Sequence, residues 1–513
     1  MLNSYRCMRI LFSCFAALCT LLLAVPAPAT VINVAPGDSY TKIESAQPGD
    51  EVVIAPGTYA FRVYLTKKAT TNNPIVIRAQ NPTNPPVWDF GTTFVENAPG
   101  SYGAGDRGRG GWQFSGASNY RLSGIVFRNC RTASFNSAGI RYYNTSTNIY
   151  VKDCLFDYND DGITGGTQDS EITVEYCEFD SNGNTNASSS SPTHNIYIYG
   201  GVYTMRYCYL HDSAQSQNFH VRARQAVLEY NWFARAKAYE GDLMTDDDFS
   251  GNGPFSQSMT LRGNVFVQAA APANHSQVVA IYNDAGQTNL TLSVRALYNT
   301  FVGNGGSAAF IHLSNADGIT QMTAEESNNI IFGTTRPVLI ENTGKASASG
   351  SNNWMQTNAT VAPFASTVQS ALPGFRNAAA MDYTLAPGSA CINAANSSVY
   401  GLPGKEYFQD ELTRCMWRPR AAARDIGAFE SSTTNQPVGP YDPSPLPRLS
   451  AGRAGSSDVI SWPLFASDFQ LQQSSLISPT TWSAASAAYA TSAVDVHVSI
   501  TGSGQARFYR LKR

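Results

Sequence analysis

The sequence predicts an all-β chain: a wound solenoid of parallel strands followed by a small C-terminal β-sandwich. Three observations predict it. Cys154, Cys177, Cys208, Asn231, Asn264, Asn299 and Asn329 fill one slot in a recurring phrase: IYVKDCLF, ITVEYCEF, YTMRYCYL, AVLEYNWF, MTLRGNVF, VRALYNTF and TAEESNNII. Successive positions differ by 23, 31, 23, 33, 35 and 30 residues, a period that suits one coil with loops of variable length. Beyond residue 449 the chain breaks into five short strand-like runs, VISWPL, FQLQQSS, TWSAAS, VDVHVSI and ARFYRLK.

The phrase also carries geometry. Apolar residues stand five and three places before the slot, as Ile149 and Val151 do, and another stands two places after it, as Phe156 does. Alternation marks a half-buried strand. Between minus three and zero the parity switches, and a straight strand cannot do that without turning its side chains to the other face. A sharp bend between two short strands is therefore expected, with the Cys or Asn pointing inward. Stacked Asn amides can bond to one another and to turn backbone that would otherwise be buried unpaired. Cys replaces Asn there as a small residue that buries readily.

The organisation follows from the N-terminus onward. Arg6 and Arg9 precede an apolar run from Ile10 to Val25, and Ala27-Pro28-Ala29 offers small residues for cleavage. Residues 1–29 read as an export signal. The run of about 16 residues falls short of the roughly 20 that span a bilayer. Residues 30–430 are assigned to the solenoid, with PGDEVVIAPGTYAF and PIVIRAQNP as its first strands and repeating coils from Trp112 to Phe332. Residues 431–448, rich in Pro, Thr and Ser, read as a linker, and residues 449–513 as the sandwich.

Composition narrows the function classes. Charged residues make up 14% of 513 and the net charge is −3, so the basic stripe that nucleic acid needs is missing. A soluble monomer with a polysaccharide ligand is expected. Three of the nine cysteines, Cys7, Cys14 and Cys19, lie in the signal. The three in the repeated slot read as stacked thiols, because the Asn residues of that slot cannot pair with them. Cys391 and Cys415 could bond to each other or stay free.

The segments HNIYIYGG, YLHDS, FHVRARQAVLEYN, TLRGNVFVQ and LYNTFV, with the closing DYTLAPGSACINAA and RPRAAARDIGAFE, resemble secreted bacterial right-handed parallel β-helix proteins of the pectate-lyase-like superfamily. The resemblance implies a right-handed parallel β-helix and a polysaccharide lyase activity. Relatives carry Lys-Ser-Arg where this chain has Arg222-Ala223-Arg224, so Arg222 replaces the Lys and Arg224 keeps the Arg. The resemblance makes Arg222 a candidate base. Side-chain chemistry disfavours this, since guanidinium is effectively always protonated.

Aligning the strand before each phrase places Tyr197 and Tyr199 on one coil and His220 and Arg222 on the next, all outward, with Arg224 continuing the row and His194 at its edge. The following coil adds Glu240, Asp242 and Asp246-Asp247-Asp248. Tyr faces suit pyranose rings, and Arg suits a uronate carboxylate. His220, His194 or a Tyr could take the proton beside that carboxylate in a β-elimination. Tyr197, Tyr199, Asp242 and Tyr282 are the candidate substrate-binding residues. Asp246, Asp247 and Asp248 could hold Ca²⁺, although a solvated loop explains the run more simply. His211-Asp212 reads as a turn pair, and His275 and Tyr282-Asn283-Asp284 as possible borders of the groove. Two other functions compete: a glycoside hydrolase using Glu240 and Asp242, and a non-catalytic glycan-binding or adhesion protein.

Overall fold

In the computed structural model each coil contributes three short strands, as Ile149–Lys152, Leu155–Asp157 and Asp161–Gly165 do. Like strands of successive coils pair in parallel, giving sheets of 12, 12 and 10 strands. The protein is a right-handed parallel β-helix with small antiparallel sheets at its C-terminus. The described residues are 29–513 apart from 102–108, 189–190, 247–254, 271–276, 285–286, 306–308, 315–317, 410–414, 456, 477–480 and 501–506. Residues 1–28 of the expected signal, with His275, Asp247 and Asp248, lie outside the described residues.

The bend inferred from parity has a specific cause. The residue just before the repeated slot is left-handed in coil after coil: Asp153, Tyr176, Tyr207, Tyr230, Gly263, Tyr298 and Asn328 have φ between 51° and 64°. A single left-handed residue turns the chain and reverses which face its neighbours present. A second bend, not visible in the spacing, repeats the device after the second-sheet strand, where Asn129, Tyr158, Ser181, Asp212 and Arg235 have φ between 51° and 55°.

Behind the first bend the slot residues form a buried column. Asn231 Nδ2 donates to Asn264 Oδ1 at 3.0 Å, Asn264 to Asn299 at 3.1 Å, and Asn299 to Asn329 at 3.0 Å. Each also donates to a backbone carbonyl that would otherwise be buried and unpaired, as Asn299 does to Leu261. Asn353 extends the column one coil further. In the cysteine coils the backbone N–H of Cys154 points at Cys177 Sγ and that of Cys177 at Cys208 Sγ, each at 3.4 Å. All six cysteines among the described residues are free. Cys391 and Cys415 belong to separate buried clusters.

Inside the coils identical positions stack, as in the ring pairs Phe127–Phe156 at 5.1 Å and Phe156–Phe179 at 4.6 Å. Coiling continues beyond Phe332 through Arg336–Ile340, Ala346–Ser349 and Trp354–Gln356. The signal fades there because small residues replace the apolar pair ahead of Asn353.

The chain then folds back along the outside of the coils. The hairpin of Lys405–Gln409 and Cys415–Pro419 packs on the tyrosines of the first bend. Trp417 stacks on Tyr207 at 5.7 Å and donates Nε1 to the Tyr176 hydroxyl at 2.9 Å. Residues 431–448 lie against the coils: Val438 is buried and pairs with Trp417, and Lys152 donates to the Pro440 carbonyl at 2.8 Å. The terminal segment forms a four-stranded and a three-stranded antiparallel sheet. Trp462, Val498 and Leu471 from these sheets share a core with Leu297 and Tyr298 of the coils.

Candidate active site on the third sheet

Three consecutive strands of the third sheet, Ile196–Tyr199, Phe219–Arg222 and Gly241–Met244, set the site. Their register places Ile196 beside Phe219, and Tyr197, His220 and Asp242 in one row across the coils. Ile196, Phe219 and Val221 fill the core, so the alternate side chains face outward. They border a groove of about 570 Å³ whose walls include His194, Tyr197, Tyr199, His220, Arg222, Asp161, Gln217 and Asp284.

The two histidines stack, with ring centroids 4.7 Å apart and planes 10° from parallel. Tyr197 meets both edge-on, at 5.3 Å from His194 and 4.5 Å from His220. His194 is buried, and burial holds it well below the usual histidine range; the charges of His220 and Arg222 push the same way. It is therefore a neutral ring at neutral pH. His220 Nδ1 lies 2.8 Å from Asp242 Oδ1, close enough for an ion pair, although the carboxylate is out of line with the ring N–H. Asp242 is itself buried and accepts a hydrogen bond from the Tyr239 hydroxyl at 3.1 Å.

Arg222 is bound on every side by acceptors. Nε donates to His220 Nε2 at 3.3 Å, one terminal nitrogen donates to the Thr245 carbonyl at 2.6 Å, and the other pairs with Asp284. These contacts suit a guanidinium that keeps its proton. They also make His220 Nε2 the unprotonated nitrogen, with the ring proton on Nδ1, the atom 2.8 Å from Asp242 Oδ1. Tyr197 is pushed up to about 12 by burial, so its hydroxyl keeps its proton too.

Other expected residues fall elsewhere. Arg224 does not continue the outward row: the strand ends at Arg222, and Arg224 is exposed at the corner before the first-sheet strand Gln225–Glu229. Asp242 stands behind His220 with no exposure, so it touches the histidine and not a ligand. Tyr282 sits one coil further on, in register with Met244, and does not line the groove. Glu240 is buried inside the coil, where Asn218 donates to it at 2.6 Å, and burial raises it to about 8. Glu240 and Asp242 therefore do not flank one groove. Asp246 is buried, and its N–H meets Gln257 Oε1 at 3.4 Å.

The described oxygen donors near the groove do not fit a Ca²⁺ cage, since Arg222 holds Asp284 while His220 and Tyr239 hold Asp242. On the second sheet Asp180, His211 and Asp212 bring ligand atoms within 4.8 Å of one another. Arg235 already pairs with Asp212 at 2.5 Å, and His211 is raised to about 9: hydrogen bonds to Asp212 and Glu178 outweigh the burial that opposes them. That trio is an ion-pair network and does not fit a metal.

Asp161 and Gln217 escaped the strand alignment because it began at Ile196. Carried two residues further back, the register puts Asp161, His194, Gln217 and Tyr239 in a single column. Asp161 Oδ1 accepts from the His194 N–H at 2.7 Å, and burial lifts its carboxyl well above the usual range. Shared position relative to the strand start was the signal that could have found it.

A scan of protein-family models finds no match, and no curated protein is similar to the chain in sequence. Among solved structures it is similar to the PL6-family alginate lyase AlyGC, at 11% identity and TM-score 0.38, over 73% of this chain and 59% of that one. The GH136 lacto-N-biosidase of Eubacterium ramulus gives 10% and 0.37, over 67% and 68%. A tailspike protein of Acinetobacter baumannii bacteriophage Fri1, a capsular polysaccharide depolymerase, gives 10% and 0.37, over 94% and 84%. The chain spans about three fifths of the length of AlyGC.

Proposed function

We propose that the third-sheet groove is the active site of an exported enzyme that cleaves a uronate-containing polysaccharide by β-elimination. The observation that carries the reading is the His220 imidazole, backed by a buried carboxylate and bordered by a guanidinium and a protonated phenol. Arg222 turns from Asp284 and from His220 Nε2 to the substrate carboxylate and neutralises it, which frees the Nε2 lone pair and makes the adjacent C–H acidic. His220 Nε2 takes that proton, and Asp242 stabilises the imidazolium that forms. The electron pair becomes a C=C bond as the neighbouring C–O bond breaks, and the Tyr197 hydroxyl protonates the leaving oxygen. The base is thus His220 and not Arg222, whose contacts keep it cationic. No step needs a metal.

Incubation with a panel of uronate polymers, following ultraviolet absorbance and reducing ends together, tests the reading. Absorbance that rises with reducing ends and vanishes in His220→Ala is the expected result. Reducing ends without absorbance would mean hydrolysis and would sink the elimination.

A further inference from the structure

A second cavity, of about 640 Å³, lies between the outer face of the second sheet and the chain that folds back over it. It shares no wall residue with the catalytic groove and opens on a different sheet. Trp232 and Tyr209 rise from the sheet, and Tyr383, Phe408, Arg376 and Arg418 face them from the returning hairpins. We propose that this cavity binds an acidic pyranose without cleaving it, as a second hold on the same polymer; it rests on the reading of the groove as a uronate-polymer site.

Three features carry the inference. The half-buried indole of Trp232 stacks on Tyr383, with centroids 5.6 Å apart and planes 30° from parallel. A pyranose presents an apolar C–H face that packs on such a surface, as aromatic side chains favour. The acids of the wall are engaged by the chain's own donors: Asp382 accepts from the Thr384 N–H at 3.1 Å, and Glu430 from those of Arg424 and Asp425 at 3.0 and 3.2 Å. The two arginines are left to set the charge at the mouth. Arg418 is locked in place, with Nε on the buried Glu406 at 2.5 Å and its guanidinium 5.4 Å from the centre of the Phe408 ring. Arg376 is exposed, with Nε on the Leu385 carbonyl at 3.3 Å. A planar, oriented guanidinium beside an aromatic face matches a sugar carboxylate. Holding a long chain there raises its effective concentration at the groove.

Native electrophoresis through gels containing alginate, polygalacturonate or dextran tests this directly. The wild-type protein should be retarded by a polyuronate and not by dextran. Arg376→Ala and Trp232→Ala should each weaken retardation at least about five-fold, while turnover of short oligouronates stays unchanged. Arg376→Ala alone carries the test if Trp232→Ala lowers the melting temperature, because Arg376 is exposed. Equal retardation of variant and wild type, no retardation in either polyuronate, or loss of oligouronate turnover together with retardation would each overturn the second site. A wild-type protein retarded through Arg376 but inactive on every polymer would sink the catalytic reading and leave the second site standing.

Discussion

His194 lies flat against His220, 4.7 Å between ring centres, and two imidazolium ions stacked this closely would face charge against charge. Burial keeps His194 neutral, holding it far below its ordinary value of 6.5. Unfolded, His194 takes up a proton below that pH; folded, it does not. Its contribution to stability is therefore complete above pH 6.5 and falls as the pH drops, by about 1.4 kcal/mol per unit for one proton. Urea titrations between pH 7.5 and 5 should show a smaller decline for His194→Gln than for the wild type. Identical declines would contradict the neutral assignment.

Asp242 touches His220 and not the groove, so Asp242→Asn should lower kcat while KM changes little. A loss of about 10²–10⁴-fold is expected, the range of general acid–base contributions. Tyr197→Phe should act alike on kcat, whereas Asp284→Ala should change KM by altering the ion pair of Arg222. Steady-state kinetics on one active polymer checks all three. A KM effect alone in Asp242→Asn would remove Asp242 from the mechanism.

Glu326 is fully buried in the inward stack, opposite Ala296, with neither carboxylate oxygen bonded among the described residues. Burial raises it well above its ordinary 4.5. A folded value above the unfolded one gives stability that is whole below pH 4.5 and is lost as the pH rises toward the folded value. Glu326→Met should therefore raise the melting temperature at pH 8, by about 1–3 kcal/mol of stability, and do little at pH 4. Equal effects at the two pH values would contradict this.

Asn299 links two coils, accepting from Asn264 N and Nδ2 and donating to Leu261 and to Asn329. Asn299→Ala strands several of these buried groups and should destabilise by at least about 2 kcal/mol. Asn299→Cys should be milder, because the cysteine coils still aim backbone N–H groups at sulfur. Denaturant unfolding gives both values, and an Ala variant as stable as the wild type would deny the column its structural role.

The coil and its first bend were legible because parity and period report directly on side-chain direction. Ile149 and Val151 could not point inward with Phe156 unless the chain kinked between them, and Asp153 makes that kink. The second bend was not legible, because its buried column mixes Cys130, Asn159, Asn182 and Asn195 at irregular separations around an insertion. The row Tyr197, His220 and Asp242 followed from strand alignment. Whether a member of that row faces a ligand or a neighbour depends on side-chain partners, which alternation does not encode. Asp242 is the residue where that difference appears; Arg224 left the row for another reason, since the strand ends at Arg222 and the chain turns a corner there.

The insertion that carries His194 leaves the coil at Asn182 and rejoins it at Asn195, and Asn182 Nδ2 donates to Asn195 Oδ1 across the gap at 2.8 Å. Asn195 in turn donates to Asn218 on the next coil, and Asn218 to Glu240 beyond it. The neck of the loop is thus fastened by the same amides that hold the stack together. What that neck fixes is the place of His194, so the insertion lends the groove one wall while Tyr197, His220 and Arg222 stay on the strands of the stack itself.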